Sequence, residues 1–135
     1  MSGIRSALEE LFAVDDRGLS VEELAADVAE LSYVGQMVEV LRARKIKTLI
    51  DRDGYHDLGY SSPTAFLVDQ TGVAPSHARR IISYGNAEVK APHAFQAWAD
   101  GRLSTDQMKH LFAAAEAVAD EYPEANNDWL RSSKG

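Results

Sequence analysis

Three of the chain's four prolines, Pro63, Pro75 and Pro92, each stand at the head of a segment whose apolar residues recur every three or four positions. Proline cannot donate a backbone hydrogen bond, so it disrupts a helix interior. At the first helical position that donor has no partner to lose, and the ring already holds the backbone near helical geometry. Prolines spaced in this way divide residues 63 to 101 into short helices with fixed starting points. Ser62 before Pro63 supplies an N-cap oxygen, and Gly72 and Gly101 are the expected stops.

The same period governs the rest of the chain. Ile4, Leu8, Leu11 and Phe12 form one face of a first helix, which Asp15-Asp16-Arg17-Gly18 ends. Ser20 and Glu23 form a capping-box pair, and Leu24, Val28, Leu31, Val34, Val38 and Leu41 then describe a long helix over about residues 20–51. Gly35 is the expected place for a bend in it, because glycine costs about 1 kcal/mol relative to alanine inside a helix. Asp51 to Tyr60 reads as a loop, and Gly85-Asn86 as the end of the helix that Pro75 opens. Ser104 with Gln107 is a second capping box, heading a helix that carries Met108, Leu111, Phe112, Ala115 and Val118 and ends at Pro123. Phe95, Trp98, Met108, Leu111 and Phe112 are the expected core. No alternating strand pattern is present. The expectation is an all-α fold of five to seven helices, one domain over residues 1–122, with 123–135 a frayed tail or the start of a further segment.

Composition narrows the function classes. An apolar content of 45% supports a folded core, and a chain without cysteine has neither disulfides nor thiolate metal sites. The N-terminus lacks the basic region and long apolar run of a secretion signal, and no run reaches the length needed to span a bilayer. A cytoplasmic protein with no membrane partner is expected. The net charge of −7 argues against a nonspecific nucleic-acid coat. It is uneven, though: residues 1–53 hold 7 basic and 11 acidic side chains, and Arg42, Arg44, Lys45, Lys47 and Arg52 sit together with Asp51 as the one acid among them.

The segment SPTAFLVDQTGVAPSHARRIIS, residues 62–83, resembles a DNA-binding helix-turn-helix. Leu67, Val68, Val73, Ala78 and Ile81 occupy the offsets around Gly72 that lock two helices together, while Thr71 fills an offset more often held by a large apolar residue. Ser76, Arg79, Arg80 and Ser83 are left on the outer face of the second helix. Arginine there can donate two hydrogen bonds to guanine, and serines can reach phosphate or base edges. The plainer alternative is a surface salt bridge from these arginines to Asp69 or Asp100, with His77 a solvated neighbour. Arg42, Arg44, Lys45 and Lys47 can supply phosphate contacts, or can simply complement the dipole at the C-terminal end of the long helix.

No catalytic constellation stands out. His56, His77, His93 and His110 are 21, 16 and 17 residues apart and offer no metal-ligand pair. Asp51, Asp53 and Asp57 lack the acidic alternation and closing glutamate of a calcium loop. His56 beside Asp57 has no nucleophile in a recognisable motif. No cofactor, metal or catalytic residue is expected.

Gly59, Ser61 or Ser62, Phe66-Leu67, Gly72, Ala78-Arg79, Pro92, Gly101 with Leu103-Ser104, and Gln107 follow one another with a spacing that resembles the helical domain of unknown function 222 over about 60 residues. In actinobacterial proteins that domain commonly precedes an HNH nuclease domain. The resemblance implies an all-α domain associated with DNA-cleaving proteins, itself without an established activity. The clustered histidines of the nuclease motif are missing from this chain. The expected function is therefore a noncatalytic DNA-binding or targeting domain acting on duplex DNA. The alternative is a protein-interaction module that self-associates through the long helix.

Overall fold

A computed structural model describes residues 2–111 of the chain. The fold is all-helical, and among the described residues there is no strand. The helices are α1 (Ser2–Phe12), α2 (Val21–Asp51), α3 (Gly54–Asp57), α4 (Pro63–Thr71), α5 (Pro75–Lys90) and α6 (Pro92–Ala99), with a 3-10 turn at Asp16–Gly18. A further helix, α7, opens at residue 105 and is described to residue 111. The core position expected at Phe112, the rest of the last helix and the tail at 123–135 lie outside the described residues. The chain groups into two compact units, Met1–Tyr33 and Val34 onward, whose boundary falls within α2.

Local chemistry sets most of the helix ends. Ser20 Oγ accepts from Glu23 N at 3.0 Å while Glu23 Oε1 accepts from Ser20 N at 3.2 Å, so two free donors at the start of α2 are satisfied reciprocally. Ser104 and Gln107 do the same for α7, at 2.8 and 3.1 Å. Ser62 Oγ accepts from Ala65 N at 3.1 Å ahead of Pro63. Gly72 stops α4 in the left-handed conformation at φ 73°, where its N–H bonds back to the Val68 carbonyl. That backbone geometry costs a residue with a Cβ about 1–2 kcal/mol. Open space surrounds the site, so no packing change offsets the strain. Gly72→Ala is expected to lower unfolding free energy by about 1–2 kcal/mol in a urea titration. An unchanged value would mean that the turn does not need the left-handed residue.

Three boundaries depart from the sequence-based expectation. Gly35 does not break α2, which runs as one helix of 31 residues; the hydrogen-bond ladder on either side outweighs the modest cost of one glycine. Asp51–Tyr60 is not all loop. Asp53 adopts a left-handed conformation at φ 53°, which acidic side chains tolerate, and α3 follows at once. Gly85 does not end α5 either, for it lies buried in mid-helix. A Cβ added there would sit 2.6 Å from the Ala43 carbonyl oxygen and 3.2 Å from Lys47 Cβ. Glycine at this position serves the close crossing of α5 over α2. The helix instead ends before Pro92, which forces Ala91 out of helical geometry at φ −143°.

Two apolar clusters hold the unit that begins at Val34. Val40, Ala43, Tyr84, Ala87, Ala91, Phe95, Trp98 and Met108 join α2, α5, α6 and α7, with Leu111 partly buried against them. Trp98 and Met108 are its largest fully buried side chains. Gln36 ties the end of α6 to α2: its amide donates to the Trp98 and Leu103 carbonyl oxygens at 2.8 and 2.9 Å, supplying partners that the end of a helix leaves wanting. The second cluster lies under the corner described next.

Candidate nucleic-acid interface

The corner is built by α4, Gly72-Val73-Ala74 and α5. Leu67, Ala78 and Ile81 are buried together with Ile46 of α2, and Val68, Val73, Phe66 and Ile82 pack around them. All five expected locking residues thus meet in one apolar cluster. Thr71 is accommodated because its hydroxyl donates to the Leu67 carbonyl at 2.6 Å, one turn back in the same helix.

With Ala78, Ile81, Tyr84 and Gly85 turned inward, the 100° step between helical residues puts Ser76, Arg79 and Ser83 on the opposite side of α5. Ser76 and Arg79 are exposed, and Ser83 is half-buried. Among the described residues no carboxylate lies within ion-pair distance of Arg79 or Arg80. The two acids expected as alternative partners are engaged elsewhere. Asp69 accepts from the Tyr60 hydroxyl, and Asp100 accepts from Arg102 at 2.8 Å and from Gln96 at 3.0 Å. His77, expected to be solvated, is half-buried.

Arg79 and Arg80 are not equivalent. Arg80 is half-buried on the flank of α5, one turn before Tyr84. Burial pushes the Tyr84 phenol above its ordinary value; the Arg80 charge works against that rise, while Glu39 and Asp106 add to it. Arg80 therefore faces a mixed electrostatic setting of its own protein. Arg79 stands clear of it.

Two of the four basic residues expected to reach phosphate near the end of α2 are paired with acids. Arg44 pairs with Glu88 of α5 at 3.6 Å, and Lys47 pairs with Asp51 at 2.5 Å. Arg42 is half-buried, and its Nε lies buried without a hydrogen-bond partner among the described residues. Lys45 alone of these four is both exposed and outside an ion pair among the described residues.

No group of three His, Cys, Asp or Glu side chains among the described residues is placed to hold a metal ion. Nor is any described helix long and apolar enough to cross a membrane. No family model, curated protein or solved structure matches this chain.

Proposed function

We propose that this chain is a noncatalytic helical domain that binds duplex DNA through the first three turns of α5. In this reading it serves as the cytoplasmic targeting part of an HNH nuclease-related protein. One observation carries the reading: the exposed guanidinium of Arg79, with no ion-pair partner among the described residues, stands on the outward face of the second helix of a Gly72 corner. An unneutralised cation flanked by Ser76 and Ser83 is suited to a polyanion, because it gives up no internal salt bridge on binding. The link to nucleases draws on the resemblance to the domain of unknown function 222 and stands or falls separately from DNA contact.

Titrating duplex DNA at several salt concentrations tests the reading. The unaltered chain should bind with an affinity that falls as salt rises. Arg79→Ala should weaken binding by about 1–3 kcal/mol at a preferred sequence, or reduce the salt slope by about one if Arg79 touches phosphate. Arg44→Ala, which removes a cation already paired with Glu88, should change little. Equal affinity for unaltered and Arg79→Ala protein would refute the interface. The alternative reading, a protein-interaction or self-association module without DNA contact, draws on the exposed apolar residues of α2. It is favoured if no duplex binds even at about 50 mM salt.

A further inference from the structure

None of residues 2–33 is buried, although this stretch contains two amphipathic helical segments. On the first part of α2, Val21, Leu24, Val28 and Leu31 follow one another at spacings of three, four and three. They share one face, and they are 76%, 37%, 65% and 51% exposed. At the end of α1, Phe12 is 88% exposed. Scattered apolar residues on a surface are ordinary, whereas a continuous row of them on a helix marks an interaction site.

The charge around this row indicates what covers it. Residues 1–33 hold two basic side chains against eight acidic ones, so six of the chain's seven net negative charges fall here. Asp27, Glu23 and Glu30 follow one border of the row, and Ala25, Ala29 and Ser32 the other. Among the described residues, the only ion pair in this stretch is Arg17 with Asp15, at 3.1 Å. A second copy of the chain would bring the same acidic border, and another six net negative charges in residues 1–33, toward the first. A helix carrying leucine-like side chains on one face and lysine or arginine beside them would instead bury the row and neutralise its acidic border.

We propose that residues 2–33 dock a basic amphipathic helix of a partner protein, along the Val21–Leu31 face. This site does not depend on DNA contact at α5, since it lies in the other compact unit of the chain. The small residues on one border allow the partner helix to approach closely, and the acids on the other set its orientation.

The test uses the full chain and three synthetic peptides of about 18 residues, long enough for some five helical turns. One has a leucine face flanked by lysines, one the same face flanked by glutamates, and one the lysine composition in scrambled order. Fluorescence anisotropy should show binding of the first, no binding of the second, and at least tenfold weaker binding of the third. Leu31→Asp should weaken the first peptide at least tenfold while circular dichroism stays unchanged, as its side chain is exposed. Asp27→Asn with Glu30→Gln should weaken it less and flatten its salt dependence. Equal binding of the scrambled peptide would overturn the proposal, as would no binding of any peptide. So would sedimentation as a dimer that Leu31→Asp dissolves, because a second copy would then occupy the face.

Discussion

Trp98→Ala is expected to lower the unfolding free energy by about 3–5 kcal/mol, the usual loss for removing a fully buried large aromatic side chain. The indole is wholly excluded from solvent. It meets Tyr84 and Phe95 edge-on, with ring centroids 5.2 and 5.7 Å apart. Its Nε1 donates to Thr105 Oγ1 at 3.0 Å, and Thr105 in turn donates to Glu39 at 3.4 Å. One residue therefore joins α2, α5, α6 and the first turn of α7. The alanine variant leaves a cavity among these helices and strips Thr105 of a donor. Domains of this size are stable by about 5–15 kcal/mol, so the loss is a large share of the total. Trp98→Phe keeps most of the volume and forfeits mainly the hydrogen bond, so it should cost about 1–2 kcal/mol. Equilibrium denaturation of both variants checks the pair. A loss below about 1 kcal/mol for the alanine variant would mean that this cluster does not hold the helices together.

Two glycines within helices should respond to substitution with opposite signs. Gly85→Val is expected to destabilise by about 3 kcal/mol, because its Cβ would enter the space of the Ala43 carbonyl and its methyl groups would press on α2. The obstacle is backbone, which cannot swing aside like the end of a side chain. Gly35→Ala is expected to stabilise by about 1 kcal/mol, since among the described residues no heavy atom outside its own helix lies within 4 Å of the added methyl and alanine is the better helix former. Thermal unfolding of the two variants beside the unaltered chain decides the matter. Equal effects of the same sign would show that α5 does not cross α2 at Gly85.

These two glycines also mark where sequence reasoning reaches its limit. A capping box joins residues three apart, and a proline acts on its own turn, so Ser20 with Glu23, Ser104 with Gln107, and Pro63 could be read from local chemistry alone. Whether glycine ends a helix depends on what lies across from it. Gly72 faces open space in a left-handed turn and does end one; Gly85 faces another helix and does not. The long helix was legible from its period, but its passage through Gly35 was not, because a cost of about 1 kcal/mol can be overcome by the helix on either side.

The candidate interface divides along the same line. The offsets around Gly72 were sufficient to place Leu67, Ala78 and Ile81 inward, and hence Ser76 and Arg79 outward. They could not reveal that Arg80 is half-buried while Arg79 is exposed, since both flanks of α5 look alike until α2 is set against one of them. The pairing of Arg44 with Glu88 spans 44 positions and has no local signature. Gln36, which secures the end of α6, reads in sequence as one more polar residue on a long helix.

Backbone amide chemical-shift mapping of the full chain with an unlabelled duplex at low salt tests the DNA-binding claim most directly. Shifts concentrated at Ser76, Arg79 and Ser83, with Val21 to Leu31 unmoved, are the predicted result. Shifts confined to other helices, or no shifts at equimolar duplex, would contradict it.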